Sequence, residues 1–245
     1  MIRRALLLAF SLLTTVASAE PVTLTAAGGV KVYGEFWPAA DANAPLILAF
    51  HQAGSSHAEY APLAPRLNRA GFSVLAIDQR SGGSEFGGKN RTVAALGRST
   101  SYDAALADLE AALAWGKAKA KGAPVIAWGS SYSAALVFQL AARHPAELAG
   151  LLAFSPGEYL GTPNAVRTAA QKLALPVFID QSSDEDETLQ SREILQAIAS
   201  SDKTLFIPQR GVHGSATLRA DRNAAGAEEN WAAVLVFLAK FKLPR

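Results

Sequence analysis

Residues 125–135 constrain the fold of this chain more than any other stretch. The apolar run Val-Ile-Ala-Trp leads directly into Gly129-Ser-Ser131-Tyr-Ser133, which is followed by two alanines. A strand, a Gly-x-Ser-x-small sequence and a helix start form the pattern of a nucleophile elbow, a sharp turn that lifts the middle serine clear of a sheet. The turn crowds its neighbours, so small residues are needed two positions before and after the serine. Gly129 and Ser133 meet that need, and the pattern predicts Ser131 as a nucleophile.

A serine-rich turn at the start of a helix would produce a similar sequence, with Ser131 or Ser133 as the N-cap residue. The elbow interpretation makes further demands. A serine hydroxyl is a weak nucleophile at neutral pH and requires a histidine base, which a carboxylate orients. The elbow also places the backbone N–H of Tyr132 at the start of the helix, where this N–H faces a developing oxyanion.

The N-terminus has the pattern of a secretory signal peptide. Arg3 and Arg4 precede an apolar run over 5–17, which is short for a membrane span, and residues 17–19 form an Ala-x-Ala cleavage site. We therefore predict a signal peptide over 1–19 and one domain over 20–245. A bacterial export signal implies a periplasmic or secreted protein with no stable membrane insertion after cleavage.

The composition narrows the chemistry. Without Arg3 and Arg4, the basic and acidic residues are equal in number at 21 each, so nucleic acid is not a predicted partner. The chain has no cysteine, which excludes disulfides and a thiol nucleophile. Its four histidines have no metal-ligand spacing, so neither a metal nor another cofactor is predicted. The oligomeric state is not readable from the sequence.

Apolar runs and helical periodicity alternate along the chain. Strands are predicted at 22–25, 30–36, 46–50, 72–77, 124–128, 148–154, 177–179 and 204–208, and helices at 58–69, 102–117, 133–143 and 228–241. The alternation predicts an α/β fold with a doubly wound, mostly parallel sheet flanked by helices.

The other two members of a Ser-acid-His set follow Ser131 in the chain order of a nucleophile-elbow enzyme. His213 follows a predicted strand and lies between two glycines, which makes it the favoured base. The strand at 177–179 precedes a turn with several acids. Asp184 is the favoured carboxylate there, and Asp186 and Asp180 are the alternatives.

Two further motifs carry a family resemblance. His51-Gln-Ala53-Gly is similar to the oxyanion loop of monoglyceride lipases and serine-aminopeptidase-like α/β-hydrolases, with Gln52 in place of a glycine. Residues 78–84, Asp-Gln-Arg-Ser-Gly-Gly-Ser, resemble that family's Asp-x-Arg-Gly-x-Gly stretch, with Ser81 in place of a glycine. The resemblance covers nearly the whole mature chain. It implies the α/β-hydrolase fold and an oxyanion hole formed by the N–H groups of Ala53 and Tyr132.

The lipases of that family carry a long helical cap, whereas only residues 155–176 separate the corresponding strands here. We therefore expect a minimal or absent cap and an open site, as in small dienelactone-hydrolase-like members. His51, Gln52 and Tyr159 are predicted to contact the substrate.

The sequence favours an exported serine hydrolase acting on a small-molecule carboxylic ester through an acyl-enzyme. Three alternatives remain open. The same residues would serve an acyltransferase or an amidase/peptidase, and a hydrolase fold can also be a non-catalytic binding domain. Residues 83–90 nearly match a nucleotide-binding Gly-x4-Gly-Lys-[Ser/Thr] loop, but Asn90 stands in place of the hydroxyl residue.

Overall fold

A single eight-stranded sheet forms the centre of the protein. The computed structural model describes residues 18–242. The strand order is β1-β2-β4-β3-β5-β6-β7-β8; β2 pairs antiparallel with β1 and β4, and the strands from β4 to β8 are parallel. The strands are β1 Glu20–Thr25, β2 Lys31–Trp37, β3 Leu46–Phe50, β4 Ser73–Ile77, β5 Val125–Ser130, β6 Gly150–Phe154, β7 Val177–Asp180 and β8 Lys203–Phe206. The predicted mostly parallel sheet is confirmed.

Helices cover both faces of this sheet. They are α1 Ala64–Arg69, α2 Arg91–Leu96, α3 Leu106–Ala120, α4 Tyr132–Arg143, α5 Ala165–Ala170, α6 Glu185–Ala197 and α7 Ala227–Leu238. One apolar layer includes Leu109 of α3, Leu136 of α4 and Ile194 of α6. The other includes Leu67 of α1 and Trp231 of α7. Every residue of the central strands β3, β5 and β6 is buried, which explains why their sequences are almost continuously apolar.

The largest differences from the predicted elements lie in three helical segments. The predicted helix at 58–69 is a short 3-10 turn, His57–Glu59, followed by α1. Helices α2 and α6 lie in segments with no predicted helix. Helix α6 begins with three acidic residues and buries only Ser191 and Ile194, so it has almost no apolar periodicity by which the sequence could indicate it.

The sheet edge that carries the candidate site is open. Between β6 and β7 the chain forms only α5, a six-residue helix, so the predicted minimal cap is confirmed. The predicted signal peptide lies outside the described residues except for its last two positions. Within 18–242, no helix is both long enough and apolar enough to cross a membrane.

Candidate active site

Ser131 occupies a strained turn between β5 and α4. Its backbone has φ 57° and ψ −121°, a conformation that L-residues rarely adopt. The Ser131 N–H donates to the carbonyl of Phe154 at 2.8 Å, which ties the turn to β6. A Cβ atom on Gly129 would lie 2.3 Å from the carbonyl oxygen of Ser133, so only glycine fits there. The local geometry is that of the predicted elbow.

The structure brings His213 to Ser131 across 82 residues of sequence. His213 Nε2 lies 2.8 Å from Ser131 Oγ. The histidine follows β8 and precedes a 3-10 turn, Gly214–Leu218, whose first N–H donates to Ser155 Oγ at 3.0 Å. The His213 side chain is 38% exposed, so a molecule from solvent can reach the pair. The two residues expected to act together are therefore in contact.

The carboxylate that faces His213 is Glu187, and the prediction of Asp184 is wrong. Glu187 Oε1 lies 2.8 Å from His213 Nδ1. The Asp184 carboxylate instead caps α6 by accepting the N–H of Glu187 at 3.0 Å. The two alternatives do not reach the histidine either. Asp186 is exposed in the first turn of α6, and Asp180 is buried with no hydrogen-bond partner for its carboxylate within 18–242.

A signal for Glu187 was present in the sequence. Asp184-x-x-Glu187 has the spacing of a capping box, in which the first residue accepts an N–H of the first helical turn. The pattern assigns Asp184 to the helix cap. In a complete capping box the Glu would bond the N-cap N–H, but Ser182 Oγ accepts the Asp184 N–H at 3.3 Å, which leaves the Glu187 carboxylate available. Here Glu187 turns toward His213, and its second oxygen accepts the hydroxyl of Ser182 at 2.8 Å.

The contact between His213 and Glu187 shifts the pKa values of both residues in the directions that favour a protonated imidazole and an ionised carboxylate. The hydrogen bond to Glu187 raises the pKa of His213 above its ordinary value of 6.5, against the opposing effect of burial. Burial works to raise the pKa of Glu187, but hydrogen bonds from His213 and Ser182 outweigh it and hold that pKa below its usual range. Glu187 can therefore stabilise a protonated imidazole.

The backbone N–H groups of Ala53 and Tyr132 are the predicted oxyanion hole. Neither N–H has a hydrogen-bond acceptor among residues 18–242. Tyr132 is the first residue of α4, so its N–H belongs to the unpaired helix N-terminus. The peptide between Gln52 and Ala53 is fixed by His51, whose Nδ1 lies 2.7 Å from the Gln52 carbonyl. Because a trans peptide points its C=O and N–H in opposite directions, this bond sets the direction of the Ala53 N–H.

His51 is not exposed to a substrate, which corrects its predicted role. Its side chain is completely buried, and burial lowers its pKa to about 4, so the ring is neutral. Nε2 accepts the N–H of Gln79 at 3.0 Å, and the Nδ1 proton is therefore available to the Gln52 carbonyl. His51 orients the backbone of the oxyanion loop.

Hydroxyl and amide groups connect this loop to the elbow. Ser133 Oγ donates to the His51 carbonyl at 2.6 Å and accepts from Gln79 Nε2 at 2.6 Å. Gln79 Nε2 also donates to the hydroxyl of Tyr132 at 2.9 Å. Gln79 carried no predicted role; its position two residues after the end of β4 was a signal, since functional groups gather at the carboxyl ends of parallel strands.

The other predicted contact residues, Gln52 and Tyr159, lie at the open side of the site. Gln52 is half-buried, and its Nε2 donates to Glu85 at 3.1 Å. The Tyr159 hydroxyl lies 3.3 Å from the Ser155 carbonyl, and burial raises its pKa to about 12, with a further contribution from the charge of Glu187. Tyr159 is thus a neighbour of the ion pair.

A shallow cleft of about 410 Å3 adjoins these residues. Tyr102 forms one side and stacks on Tyr132 with ring centroids 4.4 Å apart, and Tyr159 and Leu160 form the other side. Tyr102 was not predicted as a site residue, because nothing in its local sequence distinguishes it from a surface aromatic. The cleft offers two aromatic rings to a bound group.

The nucleotide-loop alternative does not fit the structure. Asn90, which replaces its hydroxyl residue, is buried and caps α2 by accepting the N–H of Val93 at 2.8 Å. Its amide also donates to the Gln79 carbonyl at 2.9 Å, so the side chain is engaged in packing the loop. Within the described chain, no group of three or more His, Cys, Asp or Glu side chains could hold a metal ion.

Comparison with known proteins assigns the family. Residues 41–177 match the family described as serine aminopeptidase, S33, over more than half of the chain. The chain belongs to this family. The match spans the oxyanion loop, the Asp-x-Arg stretch, the elbow and the start of β7. No curated protein matches the chain.

Solved structures share the fold of this family member. An esterase of Pyrococcus furiosus is 18% identical with a TM-score of 0.69, covering 92% of this chain and 91% of its own. A cold-adapted esterase from an Arctic intertidal metagenomic library is 21% identical with a TM-score of 0.70, covering 92% and 94%. A dienelactone hydrolase from Anabaena variabilis is 17% identical with a TM-score of 0.71, covering 94% and 100%. The predicted α/β-hydrolase fold is confirmed.

The Glu187–His213 contact generates a direct prediction. The His213 ring, followed by NMR, should titrate above pH 6.5 in the wild type, and Glu187→Gln should lower its pKa because the charged acceptor is lost. Asp184→Asn is the matched control: it retains an N-cap acceptor and should leave the His213 titration in place. A fall of the His213 pKa in Asp184→Asn but not in Glu187→Gln would reverse the assignment of the carboxylate.

Proposed function

We propose that this protein is an exported serine esterase that cleaves small carboxylic esters through an acyl-enzyme. The observation that carries the proposal is the continuous chain of contacts from Ser131 Oγ through the His213 ring to Glu187, with both links at 2.8 Å. Nucleophile, base and orienting carboxylate in this geometry are the requirements of acyl transfer. The esterases and the hydrolase that share the fold support the same reaction class.

In the acylation step, Ser131, His213 and the two backbone N–H groups each have a distinct role. Ser131 Oγ attacks the ester carbonyl carbon, and His213 Nε2 takes the hydroxyl proton. The N–H groups of Ala53 and Tyr132 hold the oxyanion, and each such donor contributes on the order of 10²–10³ in rate. The intermediate then collapses with cleavage of the ester C–O bond. His213 gives its proton to the departing alkoxide, so an alcohol leaves and the acyl group remains on Ser131.

Deacylation repeats the sequence with water. His213 accepts a proton from water as the water oxygen attacks the acyl carbon, and the same two N–H groups hold the second oxyanion. Collapse returns the proton to Ser131 Oγ and releases the carboxylic acid. Glu187 stays ionised throughout, because its pKa is held low and its role is to stabilise the imidazolium.

The substrates we propose are esters with a short or flat acyl or alcohol group. The six-residue helix α5 is the whole helical cap between β6 and β7, so a long acyl chain would remain in solvent. The shallow cleft between Tyr102 and Tyr159 is next to Tyr132 and offers stacking surface of limited depth. Binding energy from this cleft is available only to a small group.

Export is proposed from the leader sequence. Residues 1–19 combine two arginines, an apolar run and an Ala-x-Ala site, and β1 begins at Glu20, directly after that site. Removal of the leader would therefore leave every strand of the sheet intact.

Replacing the nucleophile tests the mechanism. Ser131→Ala should lower kcat for a p-nitrophenyl ester by about 10⁴-fold or more, and it should abolish labelling by a fluorophosphonate probe. Ser133→Ala is the matched control, because it removes a neighbouring hydroxyl that bonds the backbone, and it should remain labelled. An unlabelled wild type would favour a non-catalytic binding domain, and full activity of Ser131→Ala would reject Ser131 as the nucleophile.

A substrate series tests the shallow cleft. Across p-nitrophenyl esters from acetate to laurate, kcat/KM should be highest for the short acyl chains, and Tyr102→Ala should raise KM more than it lowers kcat. A maximum at long chains would contradict the proposed substrate class. Anilides and added alcohol acceptors in the same assay distinguish ester hydrolysis from amide hydrolysis and acyl transfer.

Cellular fractionation tests export. The mature protein should be recovered from the periplasm or medium with an N-terminus near Glu20. Ala19→Leu should block cleavage because the position before the cut must be small, whereas Ser18→Leu, at the variable position, should be processed normally. Wild-type protein retained in the cytoplasm with residues 1–19 attached would contradict this proposal.

A further inference from the structure

One buried carboxyl group close to the site has no part in the mechanism above. Glu59 lies in the 3-10 turn that follows the oxyanion loop, and its side chain is completely buried. Its Oε2 accepts the backbone N–H of Gln52 at 2.8 Å, whereas Oε1 has no hydrogen-bond partner within 18–242. A buried carboxyl group with an unpartnered oxygen lowers the stability of the fold, so its presence here calls for an explanation.

The peptide that Glu59 holds is the one before the oxyanion peptide. Its N–H, on Gln52, donates to Glu59, and its carbonyl, on His51, accepts the Ser133 hydroxyl at 2.6 Å. This peptide is therefore fixed at both ends, from the turn on one side and from the elbow helix on the other. The next peptide carries the Ala53 N–H. Its direction depends on the orientation of the first, because the two share the Gln52 Cα.

Glu59 also faces the elbow and, through it, the histidine loop. Ser130, the residue directly before Ser131, is close enough for its hydroxyl to lower the pKa of Glu59, although the two side chains form no hydrogen bond of ordinary geometry. Ser130 Oγ in turn accepts the N–H of Ser215 at 2.9 Å, two residues after His213. Glu59 is thus bonded to the oxyanion loop and lies beside the elbow, which is itself bonded to the histidine loop through Ser130 and Ser215.

The electrostatic surroundings of Glu59 are mixed. Burial raises its pKa to about 7, while the interactions with Ser130, the Gln52 N–H and Ser55 and the nearby charge of Arg219 act in the opposite direction. Arg219 is itself buried and donates to the Glu59 carbonyl at 3.2 Å. The charge of Glu59 reaches the site, because it helps to raise the pKa of His213 together with the charges of Glu187 and Glu85.

We propose that Glu59 is a positioning residue that holds the Ala53 N–H in place for the oxyanion and couples the oxyanion loop to the Ser131 elbow. The inference rests on the proposed esterase function. A carboxylate is suited to this position, because a charged acceptor forms a stronger bond to an N–H than a neutral one. No other side chain in the described part of the chain accepts the Gln52 N–H.

Two substitutions separate the acceptor from the charge. Glu59→Met keeps a similar side-chain volume and removes the acceptor, so kcat for a short p-nitrophenyl ester should fall roughly 10–100-fold, as expected for a misplaced oxyanion donor, with little change in KM. Glu59→Gln keeps an amide oxygen for the Gln52 N–H and should retain kcat within a few-fold. Glu59 is ionised only above its pKa of about 7, so its charge acts on His213 over the upper part of the acidic limb of kcat/KM, and Glu59→Gln should move that part of the limb to lower pH.

Asp180→Asn is the control for loss of a buried carboxyl group. Asp180 is also buried, but its carboxylate forms no hydrogen bond to the oxyanion loop, the elbow or the histidine loop. Its substitution should leave kcat and the pH profile unchanged. A purely structural role for Glu59 would appear as lower thermal stability in both Glu59 variants with unchanged kcat and acidic limb. That result would overturn the proposal while the esterase function stands.

Two measurements do not depend on turnover. Hydrogen exchange of the Gln52 amide, which donates to Glu59, should accelerate in Glu59→Met relative to the wild type, and the NMR titration of His213 should shift to lower pH in Glu59→Gln. If Glu59→Met does not fold, the amide exchange and pH profile of Glu59→Gln decide, and wild-type values for its His213 titration and acidic limb would reject the coupling. A wild type that neither cleaves esters nor reacts with fluorophosphonate would overturn both the function and this role.

Discussion

The backbone of Ser131 is held at φ 57° and ψ −121°, and the arrangement of the site follows from that turn. A residue in such a conformation costs about 1–3 kcal/mol, so the surroundings must over-determine it. Here the Ser131 N–H is bonded to β6, Gly129 provides space for the carbonyl of Ser133, and α4 begins at once with Tyr132. The same turn therefore presents the hydroxyl and places an unpaired helix N–H beside it.

The departures from the related glycine-rich motifs have a common physical consequence. Gln52 and Ser81 stand where the resembling sequences usually carry glycine, and Ser133 stands where a nucleophile elbow commonly has one. Each forms hydrogen bonds that a glycine could not form. Ser133 bonds the His51 carbonyl, Ser81 Oγ bonds the carbonyls of residues 100 and 101, and Gln52 bonds Glu85. Side-chain hydrogen bonds between the loops thus take the place of close backbone packing. Of these bonds, the one from Ser133 to the His51 carbonyl is buried and joins the elbow helix to the oxyanion loop, where a mobile loop would misplace the Ala53 N–H.

The sequence predicted the fold and the contact between Ser131 and His213. Each of these two residues follows an apolar strand, and parallel strands end at the same edge of the sheet. The sequence did not predict which of the five acids within residues 180–187 faces the histidine. That choice depends on the start of α6, which has little apolar periodicity, and on the capping role of Asp184. The burial of His51 was equally hidden. A histidine at the end of a strand is expected to be exposed, and the sequence does not show that the loop over residues 78–90 covers it.

The charges around His213 determine which groups have to stabilise the oxyanion in the proposed reaction. Three carboxyl groups, Glu187, Glu59 and Glu85, raise the pKa of this ring, so in the proposed mechanism they would stabilise the imidazolium that forms when Ser131 loses its proton. The same charges oppose the negative oxygen that forms at the same moment. The oxyanion must then be stabilised by nearby, well-aimed dipoles, since a distant compensating cation would act on both charges. The placement of the Ala53 and Tyr132 N–H groups consequently has to be accurate, and this requirement explains why so many buried bonds converge on the peptides of residues 51–53.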